Sequence, residues 1–271
     1  MSALKIGACL QAREIQTHRD WLFGQQRDIE LQDFMSHAAL THEFEDRIAI
    51  AQKALKGHGG RLGLHGPYEG LDIVNKDAEL QPLITARFLK ALEACERLGA
   101  SQMVLHSPYS LWYQNNVLAT PGYAKAKLAR IHSILAPVVR CAETKGIVLV
   151  IENIHDPRPE TRREMVDSFC SDAIALSIDT GHAHLARCMS GAPPVDYFVR
   201  DAGAQLKHVH IQDLDGYADR HWPPGEGEIE WPAVFNALGE CPGAPHLVLE
   251  LRDKACIPAG FAHLQRLGLA I

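Results

Sequence analysis

Nine acids and histidines scattered through the chain could share one piece of chemistry: His65, His106, Glu152, Asp179, His182, His210, Asp219, His221 and Glu250. His65, His106, Glu152, Asp179, His210 and Glu250 stand at the ends of short apolar runs such as IVLVIE (147–152), IALSID (174–179) and LVLEL (247–251). His182, Asp219 and His221 follow just beyond two of those runs. Carboxylates mixed with imidazoles form the donor set of a divalent cation, zinc or manganese first, with magnesium a further candidate where oxygen ligands dominate. Acids gathered away from water repel one another unless a cation or protons neutralise them. A convergent set of this kind therefore points to a metal centre.

Each residue also has a plainer role to weigh. Glu152 follows the apolar run IVLVI and emerges from the deepest part of a sheet. Asp179 closes IALSI with His182 on the next turn, where both can face one ion; Asp179 or Thr180 can equally cap a following helix, and cap and ligand are compatible. His208 and His210 lie two apart on one strand face, with His210 nearer the open end and His208 a core residue or a support for the ligand. Asp219 and His221 could be a solvated turn. His65 and His106, in the parallel phrases LHGPY and LHSPY, could be histidines hydrogen-bonded to a rim. His18, His37, His58, His132 and His246 lack this setting and read as surface or structural residues.

The elements that must bring these residues together follow from the hydrophobic pattern. Eight short runs rich in Val, Ile and Leu predict strands at 5–10, 28–33, 61–66, 102–107, 147–152, 174–179, 206–212 and 247–251, the second the least regular. Helical spacing between them predicts helices near 42–57, 79–98, 122–145, 160–171, 194–203, 231–239 and 258–267. Eight strands alternating with helices describe an α/β fold, a single (β/α)8 TIM barrel covering 1–271. Barrel chemistry sits at the carboxyl ends of the strands, where the acids and histidines fall.

With 271 residues and 46% hydrophobic content, the chain can bury one full core. Its net charge of −6 and its lack of a Lys/Arg block argue against nucleic acid or anionic membrane as partner. Small neutral or modestly charged molecules fit better. Seven scattered cysteines with no CxxC pair suit a reducing compartment, and no signal-peptide layout or long apolar run is present, so a cytoplasmic location is expected. A homo-oligomer is compatible with the composition.

The phrases LHGPY, IEN, DTGH, HVHIQD, PGEGEIEW and LVLEL, in this order, resemble the xylose-isomerase-like TIM barrels. That superfamily holds sugar and sugar-phosphate isomerases and epimerases together with the endonuclease IV class of abasic-site nucleases. In the isomerases, the resemblance implies one divalent ion at Glu152, Asp179, His210 and Glu250. In the nucleases it adds His65, His106, His182, Asp219 and His221, which hold three zinc ions. Charge favours the sugar branch. The loops after the strands (11–27, 66–77, 107–121, 154–163, 183–196, 214–230 and 252–254) carry 11 Lys/Arg against 14 Asp/Glu, too few cations for a phosphate backbone. Their aromatics, Trp21, Tyr68, Tyr109, Trp112, Tyr113 and Trp222, can stack on a sugar or pack the loops, with Trp112 and Trp222 the favoured walls.

The expected activity is accordingly proton transfer beside a metal-bound carbonyl of a sugar or sugar phosphate, with Glu152 and Glu250 as acid and base. His182 and Arg220 would orient hydroxyls or a phosphate. The alternative from a different reaction class is zinc-dependent phosphodiester hydrolysis at abasic DNA.

Overall fold

The structure, a computed structural model, describes residues 3–271. Eight parallel strands close a barrel in chain order: β1 (Gly7–Leu10), β2 (Ile29–Leu31), β3 (Leu62–His65), β4 (Gln102–His106), β5 (Val148–Glu152), β6 (Ile174–Asp179), β7 (Leu206–Ile211) and β8 (His246–Leu249). This is the (β/α)8 barrel that the alternation of apolar runs and helical stretches predicts. The strands read as continuous apolar runs because both faces are covered, by helices outside and by packed side chains inside. All six residues of β6 are buried.

The helices are α1 (Arg19–Gly24), α2 (Phe44–Ala54), α3 (Gln81–Leu98), α4 (Leu111–Asn116), α5 (Tyr123–Lys145), α6 (Pro159–Asp167), α7 (Thr180–Ser190), α8 (Val195–Ala202), α9 (Trp231–Glu240) and α10 (Ile257–Arg266). Three exceed the sequence expectation. α1 and α4 are six residues each, too short for a helical period to stand out. α7 replaces the loop expected over 183–196, and its start explains why: the Asp179 side chain accepts the His182 backbone N–H at 2.6 Å, closing the first turn. Such a cap contributes about 1 kcal/mol. The strand's last acid thus also begins the next helix.

Register brings the polar ends to one level. His106 pairs opposite Glu152 across β4 and β5, and Asp179 opposite His210 across β6 and β7. Ile211 pairs opposite Leu249 across β7 and β8, so Glu250 emerges beside the end of β7. The closing seam between β1 and β8 is short, with two register pairs. On the other side of β1, Gly7 is required by the close approach of the chain entering β2, since a Cβ would lie 1.7 Å from the Asp28 carbonyl oxygen. Buried Arg27 ties the segment before β1 to the stretch that follows α10: its Nη1 donates to the carbonyls of Ile6 (2.9 Å) and Ile271 (2.7 Å), and the guanidinium packs against Trp21 and Phe261. All seven cysteines are free. Among the described residues no helix is long and apolar enough to cross a membrane.

Candidate metal centre

The ends of β5 and β6 are tied together before any ligand is considered. Asn153, the last residue of the IEN phrase, donates from Nδ2 to the Asp179 carbonyl at 3.0 Å and accepts the Asp179 N–H at 2.9 Å. Arg162, fully buried on α6, donates from Nη1 to the carbonyls of Ile151 and Ser177 and to Asn153 Oδ1. Glu152 and Asp179 consequently stand side by side. One donor atom from each of Glu152, Asp179, His210 and Glu250 lies within 4.8 Å of the others, and all four residues are buried. His210 Nδ1 is 3.2 Å from Glu152 Oε1 and 3.3 Å from Glu250 Oε2.

Two oxygens in this cluster, Glu152 Oε2 and Asp179 Oδ2, are buried without any hydrogen-bond partner. Leaving charged acceptors unsatisfied away from water costs more than the ~1–3 kcal/mol of a neutral group. A divalent cation removes that cost, and three carboxylates with one imidazole are a suitable donor set for zinc or manganese. The residues present fit such an ion.

Two further groups flank the cluster. His65 Nδ1 lies 2.9 Å from the Gly66 carbonyl, which turns its Nε2 towards Glu152 Oε2 at 3.9 Å, and His106 Nε2 approaches the same oxygen at 3.6 Å. On the other side, Asp219 Oδ1 lies 3.5 Å from His182 Nε2 and 3.1 Å from His221 Nε2. His182 Nδ1 rests 3.0 Å from the Asn153 carbonyl, and His221 Nδ1 the same distance from that of Glu250. Each of the groups His65/His106/Glu152 and His182/Asp219/His221 also has the proximity to hold an ion. All nine residues surround one mouth, where a cavity of about 540 Å³ opens above the fully buried Asp179 and His210.

Burial and charge oppose each other across the site. Burial pushes the Asp179 carboxyl up to about 6 against the pull of nearby His182. Burial would likewise raise Glu152, but His210, His182 and His106 hold it well below the usual carboxylate range. Burial disfavours charge on His221, yet its Asp219 contact and the charges of Glu250 and Asp179 raise it to about 9. His106 is pushed down to about 4 by burial, with Glu152 opposing. Burial thus favours the neutral imidazole at His106, whose Nε2 lies 3.4 Å from His65 Nε2.

The loop bearing Asp219 and His221 is built from residues without an obvious ligand role in the sequence. Gln212 reaches Asp179 Oδ1 (3.1 Å) and Asp219 Oδ1 (3.3 Å) from Nε2 and accepts the His221 N–H at 3.1 Å. Gly181 is small for this reason, since a Cβ would sit 2.3 Å from the Gln212 amide carbon. Asp213 accepts from the backbones of Leu214, Gly225 and Ile229 and from Trp231 Nε1 at 2.9–3.2 Å. The phrase PGEGEIEW is thus the frame of a loop folded onto one buried carboxylate. The signal for Gln212 was its even spacing from His208 and His210, which continues their alternation one residue past the end of β7.

Three expected substrate contacts lie apart from the central cavity. Arg220 is paired with Asp215 at 2.9 Å and packs against Tyr217 and Trp222. Trp222 does not line the cavity, and Trp112 is 73% exposed on α4 beside a smaller cavity. The cavity's own cations are Arg252 and Lys254, and its aromatic is Tyr68, stacked on His106 with centroids 4.5 Å apart. His182 does line it.

Comparison with known proteins agrees with this architecture. A family model described as a xylose isomerase-like TIM barrel matches residues 28–267. A Thermus thermophilus protein, TTHB071, solved after soaking with zinc chloride, is 26% identical, with 97% of this chain and 98% of that chain covered at a TM-score of 0.72. A D-tagatose 3-epimerase-like protein (22% identity, 88% of this chain and 87% of that chain, TM-score 0.74) shares the fold. So does the 3-keto-D-glucoside 4-epimerase YcjR of E. coli (17% identity, 97% and 99%, TM-score 0.73). The uncharacterized protein MJ1311 of Methanocaldococcus jannaschii is 27% identical over 187 residues, 65% of this chain, and the match spans 59% of that relative's length.

Proposed function

Because the chain belongs to the xylose isomerase-like TIM barrel family, matched over residues 28–267, and carries a four-donor cluster at the barrel mouth, we propose that it is a divalent-metal-dependent isomerase or epimerase of a sugar or sugar phosphate. Glu152, Asp179, His210 and Glu250 would hold the ion. When bound, it supplies polarisation of a substrate carbonyl and its neighbouring hydroxyl, which lowers the cost of breaking the adjacent C–H bond.

The proton itself is moved by the protein. Glu152 ends β5 and Glu250 follows β8, three strands on, so a small substrate in the cavity meets a carboxylate from either side. One carboxylate takes the proton from carbon as the C–H electron pair becomes a carbon–carbon double bond and the carbonyl π pair moves onto oxygen, giving an enediolate. The other carboxylate, having drawn a proton from a substrate hydroxyl, returns it to carbon as a carbonyl re-forms, and the first carboxylic acid gives its proton back to the hydroxyl oxygen. Return to the neighbouring carbon isomerises the sugar; return to the opposite face of the same carbon epimerises it. His182, lining the cavity, offers a hydrogen bond to a hydroxyl. Arg252 and Lys254 at its rim offer charge to a phosphate. Arg220 can assist only by leaving Asp215.

The single observation that carries this reading is the convergence of two acid/base carboxylates on one cation-type cluster. Its test is incubation of manganese- or zinc-loaded protein with ketohexoses and their phosphates in D2O. Deuterium is expected at the carbon beside the carbonyl, and failure to exchange with every metal and sugar tried would sink the proposal.

A second reading, phosphodiester hydrolysis at abasic DNA, is favoured by the nine-residue gathering, whose flanking groups could hold additional ions. Cleavage of an abasic duplex together with three ions per chain would establish it. One ion per chain with no cleavage leaves the sugar chemistry alone.

A further inference from the structure

We propose that Glu30 is a positioning residue that fixes the ring of His210 from inside the barrel, so that Nδ1 is the nitrogen presented to the cation. The inference rests on the metal-dependent reading above. Glu30 lies mid-strand in β2 and is 1% exposed. Its Oε1 is 2.8 Å from His210 Nε2 and 3.0 Å from Cys9 Sγ. Its Oε2 is 2.8 Å from His208 Nε2 in a bent contact, and His208 Nδ1 lies 2.8 Å from Ser177 Oγ. All of these groups are buried.

Donor accounting sets the direction of this chain. A carboxylate only accepts, so the two groups hydrogen-bonded to Glu30 Oε1 must donate: the Cys9 thiol and His210 Nε2–H. With Nε2 committed, Nδ1 is the ring atom of His210 left for a metal, and it is the one aimed at Glu152 and Glu250. A carboxylate on the far nitrogen of a metal-bound histidine fixes the tautomer and raises ligand basicity. The bland alternative is a structural ion pair in the barrel core. Buried ion pairs, however, are frequently no more stable than an apolar filling of the same volume, which makes stability alone a weak reason for the pair.

The experiment measures binding of Zn2+ alone by competition with a chromophoric chelator, alongside thermal unfolding of the metal-free protein. Glu30→Leu, which fills the space, is expected to weaken Zn2+ binding about 10- to 100-fold. It should also remove the hydrogen-bonded His210 Nε2–H signal from the 15N-histidine spectrum. Glu30→Gln, whose amide oxygen can still accept from Nε2–H, should fall between Glu30→Leu and the parent, and it stands in if Glu30→Leu does not fold. Ser177→Ala, which spares the Glu30–His210 contact, should bind within about twofold of the parent. Folded Glu30 variants that bind zinc like the parent would overturn the role of Glu30. A parent protein that binds no divalent ion would overturn the metal-dependent reading instead.

Discussion

At the scale of single residues, the site is a balance between burial, which opposes charge, and neighbours that sustain it. Glu152 and Glu250 are both held below their ordinary range by histidines despite burial, so each stands ionised and able to accept a proton. Glu152→Gln and Glu250→Gln are expected to leave circular dichroism unchanged while lowering turnover by at least about 10²-fold, the lower end for loss of a general acid or base. Near-parental turnover in either variant would reject the assignment. The nine acids and histidines were legible because each sits at or beyond the end of an apolar run, where a barrel collects its polar groups. Glu30 was not, because it interrupts the least regular strand. Its even spacing from Asp28 and Gln32 marks only a shared face. Arg220 and Trp222 were read from type and loop position alone, whereas a short-range partner, Asp215, and mutual packing decide where they lie.

Among the elements, two are open to direct measurement. The loop after β7 is held by the Asp213 carboxylate, which gathers four donors. Asp213→Asn is expected to cost about 1–3 kcal/mol in urea unfolding, the range for a buried group losing charged partners. Amide exchange at Gly225 and Ile229 should quicken with it. The second is β8, whose first residue, His246, is 4% exposed opposite His208. Burial, helped by the nearby Arg61 charge, pushes His246 down to about 4. An unfolded histidine protonates near ~6.5, so between these values the unfolded chain binds more protons than the folded one. Stability from this residue is complete above about pH 6.5 and is lost as pH falls towards about 4, on the order of 3 kcal/mol in all. His246→Leu should flatten the urea midpoint across that window; an unchanged slope would show that another group governs it. Strands and long helices were readable from period alone. For α7 the cap at Asp179 was legible in the sequence but the extent of the helix was not, since 183–196 reads as a loop and the helix runs from Thr180 to Ser190.

For the molecule as a whole, the four proposed donors end β5 and β6, lie on β7 and follow β8, so a bound ion would tie half the barrel together. Zinc at about 100-fold above its Kd is expected to add about 2.7 kcal/mol to stability. Excess chelator should reverse the accompanying rise in Tm. Histidines coordinate only when neutral, and His221 is raised to about 9, so occupancy of its flanking group should strengthen as pH rises towards that value. Calorimetry in buffers of different ionisation enthalpy would read the released protons, and binding independent of pH from about 6 to about 9 would count against ligation by that group.

The placement of Glu250 just after the final strand has a consequence during synthesis. Glu152, Asp179 and His210 leave the ribosome well before Glu250 does, and β8 must dock against both β7 and β1 before its carboxylate arrives. A nascent chain arrested short of that residue lacks the fourth donor of the proposed centre, so an ion held by all four residues would report that the circle of strands has closed.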